Sequence, residues 1–151
     1  MPLLAGILYD PAVAVTRNTT AAIAMTALDT VNLRIAFTVP ANGTVLVHLC
    51  GTLHGATTFP QILLGVMEGA TVRGRVAPQV VIGGGAAATT FAAVEALFVV
   101  PGLTPGAALT WDAAYAVETL VAGTGLKYGG PNNVTGNDAF GAFAYEIWTT
   151  A

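Results

Sequence analysis

Residues 31–53 read VNLRIAFTVPANGTVLVHLCGTL, and their reading decides the fold. Val31, Leu33, Ile35, Phe37 and Val39 hold alternate positions, with Asn32, Arg34, Ala36 and Thr38 between them. After Pro40-Ala41-Asn42-Gly43 the alternation resumes at Val45, Val47, Leu49, Gly51 and Leu53. A period of two places the apolar set on one face of a strand, and Asn-Gly supplies the positive φ of a tight reversal. The stretch therefore predicts a central hairpin whose two strands each carry one oily face. Such a pair does not stand alone in water and needs a second sheet to cover it.

Working outward, the same signals recur. Short strands are predicted over 19–28, Gln61 to Glu68, Thr71 to Val81, Thr89 to Val100, Leu109 to Val117 and Ala139 to Trp148. Gly69, Gly83-Gly84-Gly85 and Pro101-Gly102-Leu103-Thr104-Pro105-Gly106 separate them, and Gly123 to Asp138 reads as a long polar loop. No amphipathic helix pattern emerges. About eight to nine short strands with Gly and Pro turns indicate an all-β fold, an antiparallel β-sandwich of jelly-roll type. Residues 16–151 form its single domain. Residues 1–15, broken by Pro2 and Pro11, read either as a first edge strand or as an arm reaching onto a neighbour. In the second reading Leu3, Leu4, Ile7, Leu8 and Tyr9 make the contact.

Composition narrows the function. Apolar residues make up 54% of the 151 and charged residues only 9%, against about a quarter charged in an ordinary soluble domain. So few charges cannot cover a monomer of this size, so much of the surface is expected to lie against other protein copies. Five basic residues and a net charge of −3 exclude a nucleic-acid footprint. The run Val80 to Val100 is long enough to cross a bilayer and carries one charge, Glu95. Its three glycines, its threonines and that carboxylate argue against a span. The N-terminus lacks the basic residue of a secretory signal, and one cysteine, Cys50, precludes a disulfide framework within the chain.

Chemistry-bearing residues are sparse. His48, Cys50 and His54 share parity on one strand, and imidazole and thiolate are zinc ligands, but a structural site normally takes four. Gly83-Gly84-Gly85 and Gly123-Thr124-Gly125-Leu126-Lys127 lack the spacing of phosphate loops. Asp112 and Glu118 could pair in acid–base work, and a solvated strand edge explains them equally well. Neither a catalytic constellation nor a metal or other cofactor is expected.

The alternating strand from Leu33, the Thr38-Val39-Pro40-Ala41-Asn42-Gly43 turn and Val45-Leu46-Val47 resemble the tumour necrosis factor and complement globular-head superfamily. So do Phe98 to Trp111 and the closing Phe140-Gly141-Ala142-Phe143-Ala144-Tyr145. Jelly rolls of this kind also occur in tailed-bacteriophage virion proteins, whose Ala-, Gly- and Thr-rich style this chain shares. The resemblance implies a compact homotrimer, with Trp111, Phe140, Phe143, Tyr145 and Trp148 in the subunit interface or the inter-sheet core. It implies a virion structural protein, made in the host cytoplasm and placed on the capsid surface. There it would decorate and cement the head through the major capsid protein or another virion protein. The alternative is a tail or fibre receptor-binding domain, with Lys127, Tyr128, Asn132, Asn133 and Asp138 contacting a host glycan or protein.

Overall fold

The computed structural model describes residues 1–18, 24–55, 62–76, 79–82, 90–117, 125–130 and 140–150. It is all-β: two antiparallel sheets packed face to face. The seven-stranded sheet contains β1 (Leu3–Tyr9), β2 (Val15–Asn18), β5 (Val45–Gly55), β8 (Gln79–Ile82), β9 (Thr90–Val100), β11 (Gly125–Tyr128) and β12 (Phe143–Thr149). The five-stranded sheet contains β3 (Thr26–Ala27), β4 (Arg34–Thr38), β6 (Ile62–Glu68), β7 (Thr71–Val76) and β10 (Ala108–Val117).

Several of the twelve segments found among the described residues are collinear. On one side β5 pairs with β9 along its whole length, and on the other it meets β12 and then β11. Those two in turn pair with β1 and β2. Likewise β10 pairs with β6 on one side and with β4 and β3 on the other. The pairs β1–β12, β4–β10, β5–β9 and β6–β7 are thus nested and fall alternately in the two sheets, which is the jelly-roll wrap. The finer division explains why twelve segments stand where the sequence predicts eight or nine.

Alternation sets the core. Leu33, Ile35, Phe37 and Val39 face Val45, Val47, Leu49 and Leu53 across the sandwich, all buried. Trp111 fills the centre with no exposed surface, packs edge-on to Phe37 at 4.9 Å between ring centroids, and donates from Nε1 to Glu68 Oε2 at 3.1 Å. A second aromatic group, Tyr9–Tyr128–Phe143, closes one end at centroid distances of 5.9 and 5.5 Å. Gly51 has the parity of a core residue but no side chain, because a Cβ there would lie 2.7 Å from the Phe143 ring.

Several expectations change, among them the single strand over Thr71 to Val81, which divides between β7 and β8 in different sheets. The 40–44 turn does reverse the chain, with Gly43 at φ 63°, but β4 and β5 lie in different sheets and form no hairpin. The turn's backbone groups are taken by the 101–107 loop: Val39 N bonds Ala107 O and Leu103 N bonds Gly43 O, both at 2.9 Å. Val31 is 82% exposed, because Asp29 Oδ1 accepts from the amides of Val31 and Asn32 and holds residues 29–32 in a turn. Residues 125–128, expected in a loop, form β11 between β2 and β5. The run from Val80 contributes strands β8 and β9, and no helix among the described residues is long and apolar enough to cross a membrane.

Candidate functional site

Strand parity that buries one face of the seven-stranded sheet turns the other face outward. Register arranges that outer face in rows across β9, β5, β12 and β1. One row runs Val99, Leu46, Trp148, Leu3; the next Leu97, His48, Glu146, Gly6; the third Glu95, Cys50, Ala144, Leu8. Leu8 is 75% exposed, Leu97 56% and Val99 52%, and Met1 and Leu3 are also exposed. Isolated exposed leucines are ordinary; here two exposed apolar side chains stand on β9 and two on β1, flanking half-buried Leu46 and Trp148 on one sheet face. Met1, Leu46, Leu97 and Trp148 line an open groove of about 320 Å³ together with His48, Glu95 and Glu146.

A polar network occupies the middle of this face. His48 Nδ1 lies 3.0 Å from Glu146 Oε2, and Nε2 lies 2.9 Å from Glu95 Oε1. Glu146 Oε2 also accepts from Trp148 Nε1 at 3.1 Å, so the indole and the imidazole fix this carboxylate together. Because the two carboxylates sit at opposite ring nitrogens, they do not converge on a common point. The residues needed come from three strands, and only pairing with β5 on both sides brings them together.

Cys50 shares the face with His48, as its parity predicts, and is half-buried. Burial raises its thiol above the ordinary cysteine range, and the Glu95 and Glu146 charges push the same way. A thiol held protonated is a poor nucleophile and a poor metal ligand. The side chain of His54 lies outside the described residues. Among the described residues, no three His, Cys, Asp or Glu side chains form a metal-holding group.

No known family model, curated protein or solved structure matches this chain. Its site is therefore read from its own geometry.

The residues singled out by sequence divide sharply. Trp111, Phe143 and Tyr145 are wholly buried between the sheets, so they fill the core rather than meet a partner. Burial drives the Tyr145 hydroxyl far above the ordinary tyrosine range, and its O–H donates to Trp111 O at 3.4 Å. Trp148 is half-buried on the outer face, and Phe140 is half-buried where Lys127 Nζ sits 5.1 Å from its ring centroid.

The N-terminal stretch is strand β1, paired with β12 along its length. Of its two readings the edge strand is the one this fold contains: Leu4, Ile7 and Tyr9 pack on the core while Leu3 and Leu8 face out. Tyr128 is fully buried and offers no stacking face to a ligand. Asn132, Asn133 and Asp138 lie outside the described residues. Asp112 is buried and held by Arg34 through two bonds of 2.7 and 2.9 Å; Glu118 lies outside the described residues. The exposed pair Leu97 and Val99 was legible as apolar strand but not as surface.

Proposed function

We propose that this chain is a virion structural protein, a homotrimeric capsid decoration protein that stabilises a phage head by burying apolar surface across subunit junctions. Its partners are copies of itself and the major capsid protein or another virion protein. One observation carries the reading: the outer face of the seven-stranded sheet exposes Leu3, Leu8, Leu97 and Val99 around Leu46 and Trp148. A chain only 9% charged gains by hiding that face, at about 25 cal/mol per Å² of apolar area. Repetition over many sites multiplies a modest contact into resistance to internal pressure.

The test is the mass of the purified chain by multi-angle light scattering, followed by incubation with empty phage capsids. A trimer that sediments with capsids and raises their melting temperature is the expected result. A trimer that ignores capsids and binds host cells or glycans would replace this reading with a receptor-binding one. A monomer would overturn it.

A further inference from the structure

Asn42 is the one asparagine of the sequence followed by glycine. Glycine sets no side chain beside its own amide nitrogen, so in an open chain that nitrogen reaches the preceding carboxamide unhindered. We infer that Asn42-Gly43 is a deamidation site that the fold holds shut, with the Thr150 hydroxyl as one of its fastenings. The reaction balances with water alone. The Gly43 nitrogen attacks Asn42 Cγ; the N–Cγ bond forms, the Cγ–Nδ2 bond breaks, and ammonia leaves with the amide proton. Water then opens the cyclic imide at either carbonyl. The product is aspartate, or isoaspartate in which the main chain runs through the side-chain carbon.

The fold uses both residues. Gly43 stands at φ 63°, and a Cβ on it would lie 2.6 Å from Leu103 O, so no side chain fits there. Both ends of the Asn42 carboxamide are engaged: Oδ1 accepts from Thr44 N at 3.1 Å, and Nδ2 donates to Thr150 Oγ1 at 2.8 Å. The same contacts obstruct the reaction. The Gly43 N–H, which must lose its proton for the attack, donates to Pro40 O at 2.9 Å. The Gly43 carbonyl accepts from Leu103 N at 2.9 Å, which fixes the next peptide as well. Thr150 reaches the turn because Thr149 of β12 pairs with Val45 at the start of β5. Its hydroxyl also donates to Thr44 O at 3.5 Å.

What is guarded is a crossing between the sheets. The 40–44 turn carries the chain from β4 to β5, and the 101–107 loop holds it through Val39, Gly43, Leu103 and Ala107. Isoaspartate adds a carbon to the main chain at residue 42 and shifts Gly43 away from Leu103. Either product replaces the Nδ2 donor facing Thr150 with a carboxylate oxygen. Reaction therefore waits on a local opening in which the turn and Thr150 part.

The full chain, incubated in neutral buffer with and without unfolding concentrations of urea, tests this. Digestion and mass spectrometry of the peptide carrying residues 42 and 43 read the exchange of amide for carboxylate. The native chain should convert at least about tenfold more slowly than the unfolded one, because the bonds to Pro40, Thr44 and Thr150 must break first. Thr150→Val should convert about fivefold faster than the native chain at an unchanged urea midpoint, and Thr150→Ser should restore the native rate. Equal rates in the native and unfolded chains would overturn the protection, and that comparison depends on no variant folding. A Thr150→Val chain as slow as the native one would overturn the part given to Thr150. So would a Thr150→Ser chain as fast as Thr150→Val.

Discussion

On the five-stranded sheet, the outward side chains of β4 and β10 are Arg34, Ala36 and Thr38, then Thr110, Asp112 and Ala114. Arg34 and Asp112 satisfy each other through two charge-assisted bonds, and the rest are small enough to leave little apolar area in water. On the seven-stranded sheet, the same alternation delivers Leu46, His48 and Cys50, then Glu95, Leu97 and Val99. Its charges are gathered round one imidazole while Leu97 and Val99 stay exposed and Leu46 is half-buried. Alternation specifies that a strand has two faces; what stands at the outward positions decides whether the second face is polar or leaves apolar side chains in water.

The strongest way to break this contrast is to charge the apolar face. Leu97→Lys with Val99→Lys should leave a folded monomer and weaken self-association by at least about a hundredfold, since each buried aliphatic side chain is worth roughly 1.5–3 kcal/mol. Light scattering reads the mass. The same charge at Ala36 should leave the mass unchanged; if it dissociates the assembly, the wrong face has been chosen. Next in size is Asp112→Asn, which removes the carboxylate from the Arg34 pair. Because Arg34 is about half exposed, the loss should be near about 1 kcal/mol in urea unfolding, with no change in assembly. The smallest effect is at Cys50. Its raised thiol should react several-fold more slowly than a free cysteine at pH 7, accelerate as pH rises toward the thiol's own range, and react faster in the Leu97→Lys, Val99→Lys chain.

The sandwich was legible because Leu33 to Val39 and Val45 to Leu53 alternate without interruption. The hairpin was misread because Asn42-Gly43 encodes a reversal, not the sheet in which the next strand pairs. That choice belongs to the 101–107 loop, whose Leu103 amide and Ala107 carbonyl bond the turn. Strand β11 escaped notice because four residues inside a glycine-rich segment carry no periodicity; pairing with β2 and β5 makes it a strand. The His48 network was half legible. His48 and Cys50 share parity, and Glu95 is the lone charge in an apolar run. That Glu95 and Glu146 flank the same imidazole follows only from the tertiary register. The burial of Tyr128 followed from β11 and was hidden with it.

Nested pairing also imposes an order in time. The innermost strands, β6 and β7, are separated only by the Gly69-Ala70 turn, whereas β1 and β12 join Leu3 to Trp148 across nearly the whole chain. Loop-closure entropy makes the long-range pair the slowest to find its register. Because β1 carries Leu3 and Leu8, the exposed apolar face acquires its outermost rank of side chains only as the last strand docks. A nascent chain therefore completes the surface proposed to meet its siblings at the same moment that it finishes folding.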